Sequence, residues 1–85
     1  MNTTFTSGYF KWRSRRGMKE LDVMLNRFID QQYQHMSADK LEAFNRLLDC
    51  QDTDLWYWFM GKSEPQDADF VSLVKDIRDA SQSAS

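Results

Sequence analysis

One histidine, His35, and one cysteine, Cys50, are the only side chains here that could serve as a near-neutral base and a thiolate nucleophile. Nucleophilic catalysis needs a nucleophile, a base and a group that orients the base, and a single His and a single Cys do not assemble that constellation. A zinc site asks for about four nitrogen or sulfur ligands at close spacing, which this pair does not supply either. Both residues read as structural, since free cysteine prefers burial and an imidazole near a helix end complements the terminal carbonyls. Gly8, Gly17 and Gly61 are isolated, so no glycine-rich loop is available to cradle a phosphate. The carboxylate pairs Asp52 with Asp54 and Asp67 with Asp69 stand where helix starts favour acids. The chain therefore reads as a non-enzyme with no metal or cofactor site of its own.

One segment resists so plain a reading. In Arg15-Arg16-Gly17-Met18-Lys19-Glu20-Leu21-Asp22, like charges crowd the expected start of a helix, where the dipole is positive and disfavours cations. A helical Gly17 costs up to about 1 kcal/mol against Ala. Arg16 and Glu20 stand four apart in the less favourable order. Several local rules broken in one place point to a site, and the same residues fit equally a solvated basic turn with Gly17 as a tight corner and Glu20 as an ordinary helix-start anion. Arg16, Gly17 and Glu20 are its centre, with Trp12, Arg13, Arg15, Met18 and Asp22 as neighbours. Glycine admits close approach of a partner backbone, and the two charged residues offer a donor fork and an acceptor.

The elements that must position this segment follow from spacing. Three Gly, one Pro and no strand-like alternation indicate an all-α chain, a compact bundle of five short helices in a single domain over residues 1–85. Residues 1–6 are expected to be frayed. Ser7 or a neighbour then caps a helix through Tyr9, Phe10 and Trp12, ending near Arg15. Met18, Leu21, Leu25, Phe28, Ile29 and Gln32 or Tyr33 draw one apolar stripe, predicting a helix from about Gly17 to about His35. Ser37 caps a third helix with Leu41, Phe44, Leu47 and Leu48 inward. Asp52 or Thr53 caps a two-turn fourth helix, which Gly61 ends in the left-handed region. Six bulky apolar residues run from Leu55 to Met60, covering every side of that helix, so at least one aromatic is expected at the surface. Pro65 and Asp67 open a fifth helix with Phe70, Leu73, Val74 and Ile77 inward, and a disordered Ser-rich tail is expected from about residue 81.

Charge narrows the partners. The net charge is −2, yet residues 11–20 carry five cations against Glu20 alone, 5 − 1 = +4, leaving −6 for the rest. A basic segment on an acidic body can steer an anionic partner, but a general nucleic-acid binder is disfavoured. The longest apolar run falls far short of the roughly 20 residues that span a bilayer. Together with the lone cysteine and the lack of a signal-peptide core, this predicts a cytoplasmic protein without membrane insertion.

Trp12 with Arg15 to Asp22, the stretch Leu47-Leu48-Asp49-Cys50-Gln51-Asp52-Thr53-Asp54-Leu55 with Trp58, and the Pro65 to Asp69 opening together resemble the bacterial FAD assembly factors of succinate dehydrogenase. These are the SdhE or YgfY type, related to mitochondrial succinate dehydrogenase assembly factor 2. The similarity covers nearly the whole chain, with Thr53 where a proline is common and Tyr57 where a polar residue is common. It implies a five-helix bundle that binds the flavoprotein subunit of succinate dehydrogenase, and of fumarate reductase, through the Arg-Gly-x-x-Glu surface, here Arg16, Gly17 and Glu20. It implies a chaperone-like role in covalent flavinylation: FAD is attached to a histidine of the partner, while the factor holds the partner's domains in a permissive conformation. The alternative is an antitoxin or regulatory binding module that uses the basic N-terminal segment.

Overall fold

The computed structural model describes residues 5–82 and is all-α, with five helices: α1 (Ser7–Arg13), α2 (Lys19–Gln32), α3 (Ala38–Leu47), α4 (Asp52–Phe59) and α5 (Ala68–Gln82). Thr6, the neighbour of Ser7, caps α1 by accepting from the Tyr9 amide at 3.0 Å. The helix ends at Arg13, earlier than expected, because Ser14 is its buried C-cap and its hydroxyl donates to the Phe10 carbonyl at 2.7 Å. Phe5 and Thr6 are well placed where fraying was expected: the Phe5 ring packs on Phe10 and its carbonyl accepts from the Tyr33 hydroxyl. Residues 1–4 and 83–85, where the remaining end fraying and the tail were expected, lie outside the described residues.

The second helix is shorter at both ends than its stripe suggests. Met18 is its extended N-cap, with φ −100° and ψ 115°, so Gly17 precedes the helix and carries no helical cost. The Asp22 carboxylate accepts from the Arg16 amide at 2.7 Å, which folds the entering chain back over the first turn. At the other end no glycine is present to cap the helix, and the chain tightens into a 3-10 turn, Tyr33–His35. Ser37 caps α3 as expected, accepting from the Lys40 amide at 3.2 Å.

Neither Asp52 nor Thr53 caps α4. Gln51 holds that position without a side-chain bond, and Asp52 is the first helical residue, its carboxylate engaged by Arg16 instead. Gly61, at φ 76°, ends α4 as expected. The Gly61 amide donates to Trp58 O at 3.1 Å and the Lys62 amide to Tyr57 O at 2.9 Å, a Schellman arrangement. Asp67 caps the start of α5 by accepting from the Asp69 amide at 2.8 Å, while Pro65 is buried in the preceding loop rather than in the first turn. Ser81 and Gln82, expected to begin a tail, complete α5.

The largest interface joins α2 to α5. At the centre, the Phe44 ring lies 4.9 Å from Phe10 and 5.1 Å from Phe28, within the range of favourable aromatic pairs. Leu21, Leu25, Ile29, Ala43, Leu47, Leu48, Leu55, Phe59, Leu73, Val74, Ile77 and Ala80 complete the core. Phe70 is only partly buried, because it packs sideways between Trp58 and the Arg46 guanidinium, which lies 5.3 Å above its ring. Tyr57 is the α4 aromatic left mostly exposed. No helix among the described residues is long and apolar enough to cross a membrane.

Candidate functional site

The basic segment divides into inward and outward members. Arg13 reaches from α1 to the end of α3, donating to Asp49 Oδ1 at 2.5 Å and to Asn45 O at 3.3 Å, while the Tyr9 hydroxyl bridges to Asn45 Oδ1 at 2.8 Å. Burial works against the Arg13 charge, but hydrogen bonds to Asp49 and Tyr9 outweigh it and hold its pKa above the usual value. Arg16 goes further. Its Nη1 donates to Leu48 O at 2.9 Å, its Nη2 to Cys50 O at 2.5 Å and its Nε to the Asp52 carboxylate, and only 13% of the side chain stays exposed. These carbonyls lie at and just beyond the C-terminus of α3, where the helix dipole favours a cation. The expected clash of Arg16 with a positive helix start does not arise, because its guanidinium sits at the negative end of another helix. Arg16 is thus part of the fold, not the freely offered donor fork that the sequence suggested.

Gly17 is exposed, and a Cβ built on it meets nothing within 4 Å. Two depressions flank the start of α2 beside this corner. Trp12, Arg15 and Asp22 line one, together with Gly8, Lys11 and Asn26; Trp12 is 67% exposed. Lys19, Glu20, Val23, Met24 and Trp56 line the other, whose surface is almost wholly apolar apart from the two charged side chains at its rim. Met18, the N-cap, is partly buried against the core. The eight candidate residues therefore do not form one patch: Arg13 and Arg16 brace the segment from inside, Gly17 opens the corner, and Glu20 faces a different depression from Trp12, Arg15 and Asp22.

Val23 and Met24 were missed as surface residues. They are apolar positions of α2 beside its core stripe, and that offset was the available signal. Asp52, the acceptor of Arg16, was read only as local helix chemistry, and Asp49, the acceptor of Arg13, was given no role of its own, because both partners lie more than thirty residues away in sequence. His35 is exposed in the 3-10 turn and Cys50 is half-buried between α3 and α4, far apart in the chain and in different elements. Burial, then the nearby Asp54 and Asp49, push the Cys50 thiol pKa up against the opposing pull of Arg16, which disfavours the nucleophilic thiolate. No group of three or more His, Cys, Asp or Glu side chains suited to a metal ion occurs among the described residues.

Residues 10–81 match the family model described as flavinator of succinate dehydrogenase. The chain is 45% identical over 71 residues to the FAD assembly factor SdhE of Pseudomonas aeruginosa, covering 84% of each chain. It is 43% identical over 67 residues to that of Yersinia pseudotuberculosis, covering 79% of this chain and 76% of the relative. It is 35% identical over 81 residues to that of Coxiella burnetii, covering 95% of this chain and 99% of the relative. A family match across the whole helical bundle, with identity sustained over most of both chains, means that this protein belongs to the flavinator of succinate dehydrogenase family.

Proposed function

We propose that this protein is an assembly factor that docks on the flavoprotein subunit of succinate dehydrogenase, and on that of fumarate reductase, and promotes the covalent attachment of FAD there. The observation that carries the reading is the open corner at Gly17, set between two depressions and held from behind by Arg16. A partner backbone can approach the glycine closely, Glu20 and Arg15 have no partner among the described residues and can meet opposite charges, and Trp12 and Trp56 supply aromatic anchors of the kind that dominate docking energies. In this reading the bond to the flavin is made by a side chain of the flavoprotein, and the factor contributes binding energy that selects the conformation in which it forms. FAD belongs to the partner.

The alternative, an antitoxin or regulatory binding module that uses the basic segment, loses support from the same geometry. Lys11 pairs with Asp30, Arg13 with Asp49 and Arg16 with Asp52, leaving Arg15 and Lys19 as the members of the basic segment without an ion pair among the described residues. Two free cations would give a salt dependence of roughly two counterions, too shallow for tight nucleic-acid binding. The test is deletion of the gene followed by in-gel flavin fluorescence of the succinate dehydrogenase flavoprotein. Covalent flavin should fall and return with the wild-type gene; unchanged fluorescence after deletion would reject the function.

A further inference from the structure

Residues 14–18 form a non-helical corner that carries Gly17 and sets the approach to Glu20. Ser14 is buried and Met18 packs partly against the core, while Arg15 and Gly17 between them are exposed, so the conformation of the corner also depends on its tethers to the rest of the fold. Three of these tethers use side chains: the Ser14 hydroxyl on Phe10 O, the Arg16 amide on Asp22, and the Arg16 guanidinium on Leu48 O, Cys50 O and Asp52. The last is the only one of the three that ties the corner to the α3–α4 connection. Two of its acceptors are backbone carbonyls that cannot be removed by substitution and accept from any donor. Asp52 is different: it is the only charged acceptor, and it engages Nε, which sets the orientation in which Nη1 and Nη2 meet the carbonyls.

We infer that Asp52, acting through Arg16, is a positioning residue for docking: it locks the corner so that Gly17 and Glu20 are presented in the conformation that the flavoprotein recognises. Asp22 braces the same corner from α2 by accepting from the Arg16 backbone amide. Asp52 itself does not contact the partner. Loosening the lock lowers the fraction of molecules whose corner is docking-competent, and the apparent dissociation constant rises by the inverse of that fraction. The inference rests on the docking reading above.

Asp49 supplies the control, because it also binds an arginine of the basic segment from the α3–α4 connection, yet its partner Arg13 lies in α1 outside the corner. The full chain, as wild type or with Asp52→Asn, Asp22→Ala, Asp49→Asn or Gly17→Arg, is titrated against purified flavoprotein subunit at a temperature where circular dichroism shows each variant helical. Asp52→Asn and Asp22→Ala should each weaken binding by about tenfold, corresponding to a competent fraction near one tenth. Asp49→Asn should stay within about twofold of wild type, and Asp52→Glu should recover part of the loss. Amide exchange at Gly17 and Met18 should accelerate in Asp52→Asn but not in Asp49→Asn, a local signature that general destabilisation would not give. Wild-type affinity for both Asp52→Asn and Asp22→Ala, or equal losses for Asp49→Asn and Asp52→Asn, would overturn the positioning role. If Gly17→Arg also binds as wild type does, the docking reading itself fails; if Gly17→Arg alone loses binding, only the role of Asp52 falls.

Discussion

Arg16 and Glu20 stand four residues apart in the same short segment, yet the structure uses them in opposite ways. Arg16 turns inward and spends its guanidinium on two carbonyls and a carboxylate of the α3–α4 connection, whereas Glu20 stays exposed at the rim of an apolar groove with no hydrogen bond or ion pair among the described residues. The same split recurs along the basic run, with Lys11, Arg13 and Arg16 paired and Arg15 and Lys19 not. A cluster of charge in a sequence is therefore not by itself a charged surface. Here part of it is scaffolding, and what stays exposed around Gly17 is small and mixed in charge and polarity.

The sharpest way to break this contrast is to compare Arg16→Ala with Arg15→Ala. Losing Arg16 strands two carbonyls and Asp52, a loss of charge-assisted hydrogen bonds costing about 2 kcal/mol, which in a domain of this size lowers Tm by roughly 8–16 °C. Arg15→Ala should lie within about 0.5 kcal/mol of wild type. Thermal melts followed by circular dichroism decide it, and equal melts for the two variants would remove Arg16 from the scaffold.

The two glycines of contrasting environment give the next effect. Gly61 sits at φ 76°, so Gly61→Ala should cost about 1 kcal/mol even though a Cβ there makes only an ordinary contact with Arg78. Gly17 has open space and no positive φ, so Gly17→Ala should be neutral or slightly stabilising by chemical denaturation. Gly17→Arg should melt within a few degrees of wild type while binding and flavinylation of the flavoprotein are lost. A Gly17→Arg variant that unfolds would make the corner structural.

Glu20→Ala should change stability by about 0.5 kcal/mol or less but weaken docking, the reverse of the balance at Arg16. The double change Cys50→Ala with His35→Gln should leave flavinylation near wild type, and its loss from a folded variant would restore a chemical role to one of them.

The smallest expected effect lies at the start of α5. The Asp69 amide, and then Arg46, hold the Asp67 carboxyl pKa below its usual value. With the folded-state pKa below the unfolded one, this exposed cap contributes a little stability at neutral pH that is lost as pH falls below about 4. Asp67→Asn should slightly flatten the acid limb of a stability–pH curve measured by urea melts.

The helices themselves were legible because apolar stripes, a capping serine at position 37 and Gly61 act within one or two turns of the chain. Where the reading erred, a long-range partner had intervened. Asp52 looked like a cap for α4, but Arg16 claims its carboxylate; Gly17 looked helical, but Asp22 and Arg16 hold the chain before it in a corner; Thr6, fixed beside the anchored Phe5, caps where a frayed end was expected. The sequence by itself determined the class and most of the core residues, since propensity and periodicity are properties of neighbouring residues. Which charged side chains of the basic segment face inward, and which stay exposed, was decided only by tertiary structure, because the acceptors that capture Arg13 and Arg16 come from residues more than thirty positions away.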